Sequence, residues 1–191
     1  TRDFNGNEGG SWLPTYGTIF LSAANTGDFS DPNNIVYGHH LNNGSMFACF
    51  ADFADQATFD EHRTIYLLTP QGNYRLTTFS LMHVDENDPL AQTRFTDDAA
   101  RVEYVQDKID RSVVKADGIA AASDMGRTFA FATCDNVVSS KRYVLFASVT
   151  ESTADASADP DAVQGGGEAA AETTGEAAGE ASSGDAGEAT A

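Results

Sequence analysis

The sequence predicts a mostly-β domain in which several strands are separated by two helices. Three observations support this prediction: short runs rich in aromatic and β-branched residues, Gly- and Pro-containing turns between them, and only two stretches with helical spacing of apolar residues. Several strands with only two helices between them are typical of a barrel or a strongly curved sheet.

The strands follow from these runs in chain order. Pro70-Gln-Gly72 separates two adjacent runs and is a hairpin signal. The turn-rich stretch after residue 134 predicts a second hairpin that closes the fold. The predicted strands cover residues 18–22, 35–37, 63–69, 73–84, 127–134 and 142–149.

Two helices are predicted between the strands. Residues 45–55 have apolar side chains at spacings of one, three and three, with Ser45 as the N-cap. Residues 96–112 form the second helix, with Thr96 as the cap and acidic residues in the first turn. Its apolar face consists of Val102, Val105 and Ile109.

Composition divides the 191 residues into two parts. Residues 1–150 contain every aromatic, Lys and Arg residue, whereas residues 151–191 carry ten acidic side chains and no basic ones. The formal charge of −18 is therefore −10 for the tail and −8 for the rest. The tail lacks the apolar surface needed to offset its ordering entropy, so we expect a folded domain at 1–150 and a disordered acidic tail at 151–191.

Composition also limits the possible partners and compartments. The moderately acidic domain argues against nucleic-acid binding, which requires clustered Lys and Arg. The chain begins with Thr and has neither a secretory signal nor an apolar run of about 20 residues. We therefore expect a chain that lacks an N-terminal segment. For that reason, the absence of a membrane anchor is weak evidence about where the protein acts.

The two cysteines, Cys49 and Cys134, are too few for a disulfide framework. One disulfide between them remains possible and would remove any thiol chemistry. Otherwise Cys49, within the first predicted helix, is expected to be a buried packing residue.

The last predicted hairpin brings a thiol beside a guanidinium. Cys134 ends one strand and Arg142 begins the next, and paired strands lie only about 4.8 Å apart. His39 follows the short strand at 35–37. A thiolate, an imidazole that protonates a leaving amine, and a guanidinium that stabilises an oxyanion are the groups that acyl transfer requires.

Simpler interpretations of these residues stay open at this point. A cysteine is often a small buried residue, and an arginine at the start of a strand is often a surface charge. The His39-His40 pair could bind a metal, but the other Cys and His residues do not have recognisable zinc spacing. We therefore predict neither a metal nor a cofactor.

Three segments in a fixed order resemble the sortases, and among them the class B sortases. They are IVYGHHLNNGSMF, FATC and KRYVLFA, and RDFNG followed by GTIFL adds to the likeness. The helix at 96–112 resembles the additional helix of class B. The resemblance covers about residues 2–150. Ala130-Phe131-Ala132 departs from the family's T-L-x pattern before Thr-Cys, so the floor of the substrate groove is expected to differ.

The resemblance implies a fold and a site. The fold is an eight-stranded closed β-barrel with peripheral helices, including one before the nucleophile strand. Cys134 matches the nucleophile, His39 the catalytic histidine, with His40 as its neighbour, and Arg142 the catalytic arginine. Positions that resemble the substrate groove are Tyr37, Thr133 and Asp135.

The implied reaction is transpeptidation. The enzyme would cleave a C-terminal sorting signal of the N-P-x-T-x kind at the Thr–X bond. It would then transfer the acyl group from Cys134 to an amine of a cell-wall precursor or a pilin lysine. The implied partners are surface proteins or pilins, and the implied location is the outer face of a Gram-positive membrane, reached through the missing N-terminal anchor. A cysteine peptidase or amidase that releases to water, and an inactive sortase-like binding module, remain alternatives.

Overall fold

The computed structural model describes residues 18–70, 72–85, 88, 92–134 and 140–154, with Cys134 described through its backbone. Six strands are present: β1 Phe20–Leu21, β2 Asn33–Tyr37, β3 Thr64–Thr69, β4 Gly72–Asp85, β5 Thr128–Cys134 and β6 Lys141–Ser152. Three α-helices are present among these residues: α1 Cys49–Asp52, α2 Gln56–Glu61 and α3 Asp98–Asp110. A single 3₁₀ turn covers Ala122–Asp124.

The strands form one sheet in the order β1-β2-β5-β6-β4-β3. The β2–β5 pair is parallel, and every other pair is antiparallel. The mostly-β prediction is therefore confirmed. The expected closure into eight strands is not seen in the described part of the chain, where β1 and β3 are the edge strands of a six-stranded sheet.

Both faces of the sheet are covered by apolar side chains. On β5, Ala130 and Ala132 belong to one buried cluster together with residues of α3, whereas Phe129 and Phe131 belong to a second cluster on the opposite face. A strand buried on both faces has a continuous apolar sequence, as in TFAFATC. This double burial fixes the register of β5 and therefore the position of its last residue.

Helix α3 confirms the predicted apolar face, but its cap was wrong. Val105 is 1% exposed, and Val102 and Ile109 pack against the same cluster. The cap is Asp97, not Thr96, because the Asp97 carboxylate accepts a hydrogen bond from the Ala100 N–H at 2.8 Å.

The predicted helix at 45–55 is wrong in length and cap. Met46 has a φ of 62°, a left-handed conformation that cannot lie inside a right-handed helix, so Ser45 does not cap one. The chain instead forms the short α1 and then α2. Asp55 caps α2, with its side chain accepting from the Thr58 N–H at 2.9 Å.

The last strand extends beyond the boundary predicted from composition. β6 continues to Ser152, and the Thr153 N–H donates to the Asn73 carbonyl at 2.9 Å. Ala154 packs on Gly72, where an added Cβ would lie 2.5 Å from the Ala154 Cα. The acidic residues from 155 onward lie outside the described residues.

Across the described segments, no helix combines the length and the apolar character needed to cross a membrane.

Candidate active site

The β5–β6 ladder places Cys134 opposite Arg142. These two residues are Cα partners in the antiparallel register, one pair beyond Thr133 and Tyr143. The predicted juxtaposition of these two backbone positions is therefore present in the structure.

The parallel β2–β5 pair brings His39 to the same edge of the sheet. Tyr37 is registered against Ala132, and the Gly38 N–H donates to the Ala132 carbonyl at 3.1 Å. His39 and Cys134 each lie two positions beyond the Tyr37–Ala132 pair, because the carboxyl ends of parallel strands meet at one edge. This register explains how residues about a hundred positions apart in sequence approach each other.

A pocket of about 210 Å³ opens at this edge. Four of the six residues predicted for the site line it: Tyr37, His39, Thr133 and Arg142. Cys134 is adjacent through its backbone register, and Asp135 lies outside the described residues. His40 is not among the described residues that line the pocket; it forms an isolated bridge with Met46.

The pocket also contains residues that sequence reasoning missed. Phe20 of β1 stacks on Tyr37, with ring centroids 5.4 Å apart and an angle of 26° between the planes. Gly38 and Ala132 complete the described lining. The β1–β2 register, which pairs Phe20 with Tyr37, produces this stack, and a two-residue edge strand gives little sequence signal for such a register.

The polar groups of the pocket differ in their exposure. The His39 side chain is exposed, and Arg142 is half-buried. Thr133 is 3% exposed, and its hydroxyl has no hydrogen-bond partner among the described residues. An exposed imidazole can exchange protons with a ligand and with solvent, and a half-buried guanidinium can hold negative charge in a partly desolvated place. The described residues contain no group of three His, Cys, Asp or Glu side chains that could hold a metal.

Cys49 does not line the pocket at this edge of the sheet. It is an exposed free thiol at the start of α1, so both its predicted role as a buried packing residue and the alternative disulfide are wrong. Desolvation of the sulfur by neighbouring atoms, and after it the negative charge of Asp52, raise the pKa of the Cys49 thiol. The thiolate is therefore disfavoured at this position, which makes Cys49 a natural internal control for thiol chemistry.

Comparison with known proteins identifies relatives of one kind. No family model matches the chain. The crystal structure of sortase B from the type II pilus of Streptococcus pneumoniae is 30% identical and has a TM-score of 0.63. The match covers 79% of this chain and 82% of that chain. The crystal structure of Staphylococcus aureus sortase B is 26% identical, with a TM-score of 0.64, over 72% of this chain and 65% of that chain.

Two curated relatives agree with these structures. Sortase B of Staphylococcus aureus is 27% identical over 135 residues, which are 70% of this chain and 54% of the relative. Sortase B of Listeria monocytogenes is 29% identical over 119 residues, 62% of this chain and 48% of the relative. The chain thus spans about half the length of the curated relatives it matches. The chain shares its fold with these structures, and its match to the pilus sortase extends over most of both chains. The chain therefore belongs to the class B sortases.

Proposed function

We propose that the chain is a cysteine transpeptidase that joins proteins carrying a C-terminal sorting signal to an amine. The observation that supports this most is the register that sets Cys134 opposite Arg142, with His39 two residues beyond the end of the neighbouring parallel strand. All three residue types that the reaction needs thus belong to one edge of one sheet.

In the first half of the reaction, the Cys134 thiolate attacks the carbonyl carbon of the Thr–X peptide bond. A C–S bond forms, and the carbonyl oxygen becomes negative; the guanidinium of Arg142 stabilises it. The C–N bond then breaks as His39 gives its proton to the leaving amine. The products are a thioester on Cys134 and a released C-terminal peptide.

In the second half, an incoming amine attacks the thioester. A new C–N bond forms, the C–S bond breaks, and the amine's proton passes to His39, so the enzyme returns to its starting state. No group is oxidised or reduced, and the scheme requires neither a cofactor nor a metal.

The proposed substrates are surface proteins or pilins that end in an N-P-x-T-x-like signal. Tyr37 and Thr133, in the pocket wall, and Asp135 are the proposed contacts for the signal. The similar structures include a Staphylococcus aureus sortase B–substrate complex and a sortase B complexed with triglycine, which make a peptide acyl donor and a glycine amine reasonable probes. The amine would come from a cell-wall precursor or from a pilin lysine, and the pilus origin of one relative supports the latter.

The proposed site of action is the outer face of the membrane of a Gram-positive bacterium. The organisms of both curated relatives support this proposal, since each is a Gram-positive species with its own sortase B. The substrates considered above are outside the cytoplasm, which agrees with such a location.

The proposal is tested by identifying products after incubation with N-P-x-T-x and L-P-x-T-G peptides, with and without triglycine. A transpeptidase yields a new Thr–Gly amide whose amount rises with triglycine. Release of the free acid at a rate that triglycine does not change would instead indicate a peptidase. No turnover of either peptide, with peptide binding retained, would indicate a binding module.

A further inference from the structure

The backbone around His39 is held from two sides. Before it, the Gly38 N–H donates to the carbonyl of Ala132 on β5; after it, the Phe47 N–H donates to the His39 carbonyl at 2.9 Å. The imidazole itself is exposed. Its location therefore depends on this short length of backbone more than on contacts of the ring.

The Phe47 ring occupies the space in which a side chain at position 38 would lie. A Cβ built on Gly38 would be 2.6 Å from both Cγ and Cδ2 of Phe47, and 3.0 Å from Cδ1. Carbon atoms that are not bonded to each other are normally about 3.5–4.0 Å apart. The ring thus lies directly against the peptide that precedes His39, and only glycine permits this contact.

Phe47 is itself fixed by the strand that carries Cys134. Its side chain is buried, and its ring centroid lies 4.6 Å from that of Phe50 and 6.1 Å from that of Phe131. Phe131 is in β5, three residues before Cys134. One aromatic ring therefore contacts the backbone next to His39 and the nucleophile's own strand.

The loop between His39 and Phe47 keeps a conformation that favours this contact. His40 and Met46 form an antiparallel bridge, and Gly44 and Met46 have φ values of 78° and 62°. A left-handed methionine is disfavoured, and such conformations persist only where the surrounding structure holds them. Here they reverse the chain so that Phe47 returns to Gly38.

We propose that Phe47 is a positioning residue for His39, acting through Gly38 and through the His39 carbonyl. The catalytic consequence rests on the proposed function, whereas the effect on the His39 imidazole does not. Loss of the ring would let the backbone at 38–39 shift, and a displacement of about 1 Å at a catalytic group can lower turnover about 100-fold.

The first test compares three variants. Phe47→Ala removes the atoms that touch Gly38, whereas Phe47→Leu keeps counterparts of Cγ and both Cδ atoms. Phe53→Ala is the matched control, because Phe53 belongs to the same cluster and, like Phe47, is 8% exposed. We expect kcat to fall about 10- to 100-fold in Phe47→Ala with KM within about twofold, and to change less than about threefold in the other two. Equal losses of kcat in Phe47→Ala and Phe53→Ala would overturn the proposal.

The second test changes Gly38, the other residue of the contact with Phe47. Gly38→Ala should lower kcat about 100-fold, whereas Gly126→Ala, which has no atom within 4 Å of the new Cβ, should not. Since Phe47→Ala removes the clash, the double variant should be no less active than Phe47→Ala alone. Losses that simply multiply would contradict the proposal. This pair of glycine variants also decides the question if Phe47→Ala does not fold.

A readout independent of turnover separates this inference from the proposed function. The NOE contacts of the His39 ring protons with the pocket residues, measured by NMR at one fixed pH, should change in Phe47→Ala and remain as in wild type in Phe47→Leu and Phe53→Ala. If the wild-type chain cleaves no peptide but the NOE contacts change in this pattern, the proposed function fails and the positioning role stands. Unchanged NOE contacts in all three variants would refute the positioning role.

Discussion

Two loops adjoin β2, and they are held in opposite ways. The loop before it, between β1 and β2, is closed by buried polar groups. Asp31 is 4% exposed and accepts hydrogen bonds from the Thr26 N–H at 2.6 Å, from Asn25 Nδ2 at 3.0 Å and from Arg94 Nε at 3.0 Å. Asn33, the fully buried first residue of β2, ties the end of this loop to the rest of the fold.

The loop after β2 carries His39, and in it the hydrogen bonds from the N–H and hydroxyl of Ser45 to Asn43 are exposed. It is held at its two ends, by the Gly38 and Phe47 contacts described above. The difference indicates that the polar loop stabilises the fold, whereas the second loop leaves the His39 imidazole exposed to solvent.

The largest effect is expected at Cys134, the proposed nucleophile. Cys134→Ala should lower turnover at least about 1,000-fold, because no other group replaces the thiolate that forms the acyl intermediate. Cys49→Ala, the matched control, should leave turnover within about twofold, since Cys49 is not among the described residues that line the pocket. Steady-state cleavage of whichever sorting-signal peptide is turned over fastest measures both variants. An active Cys134→Ala variant would refute the proposed mechanism.

The next largest effect is expected at the guanidinium. Arg142→Lys keeps the charge but loses the planar fork of donors, so kcat should fall about 100-fold. Arg75→Lys makes the same change on the surface, where Arg75 pairs with Glu151 at 2.8 Å, and should have no effect on kcat. A wild-type kcat in Arg142→Lys would mean that charge alone suffices and that the oxyanion is stabilised elsewhere.

Removal of the Asn33 side chain tests the junction between the polar loop and β2. The Asn33 side chain donates to the Gln92 carbonyl at 3.0 Å and accepts from the Thr128 hydroxyl at 2.9 Å. Asn33→Ala removes these bonds and the buried bond to the Tyr104 hydroxyl at 3.2 Å, and should lower the free energy of unfolding by about 3 kcal/mol. The exposed Asn43→Ala, in the loop that carries His39, should change it by less than about 0.5 kcal/mol. Urea denaturation of the two variants measures the contrast, and equal effects would remove the distinction between the loops.

Two truncations should differ by a smaller amount. A chain that ends at Thr150 loses both hydrogen bonds between Thr153 and Asn73 and the packing of Ala154 on Gly72. It should be less stable than a chain that ends at Ala154 by about 1–2 kcal/mol. The composition of residues 155–191 predicts that the longer truncation product melts like the full chain. A large drop in melting temperature on removing 155–191 alone would contradict the disordered-tail prediction.

The smallest effect is expected on stability at low pH, where Asp31 becomes protonated. Burial opposes ionisation of Asp31, but hydrogen bonds from Thr26, Asn25 and Arg94 outweigh it and hold the pKa of Asp31 below its usual value of 3.8. The ionised carboxylate therefore stabilises the fold above that value, and this contribution disappears as the pH falls through the lowered pKa. Unfolding curves of wild type and Asp31→Asn should converge between about pH 5 and pH 2, the wild type losing more stability. Parallel curves would show that Asp31 does not titrate as described.

The sequence predicted the parts of the molecule that depend on local patterns. The β5–β6 hairpin and its register followed from two apolar strands that flank a turn, and this register places Cys134 opposite Arg142. The helix at 45–55 failed because apolar spacing cannot reveal the left-handed backbone of Met46. The end of a short strand suggested His39 as a third member of the site, and the family resemblance supported it, since a parallel contact between distant strands has no local signal.

Other parts depended on tertiary packing and could not be read from the sequence. Phe20 entered the pocket through the register of a two-residue strand, and Phe47 reached Gly38 through a loop reversal. Asp97 and Thr96 are both good caps, and only the observed bond to Ala100 decides between them.

The most direct test of the central claim is to locate the acyl group. The chain is incubated with a sorting-signal peptide without an amine, quenched in acid and digested, and the modified peptide is identified by mass spectrometry. We expect a thioester on Cys134, absent from Cys49, that disappears on addition of triglycine with formation of a new amide. An adduct on Cys49, or turnover with no adduct at Cys134, would contradict the assignment of Cys134 as the nucleophile.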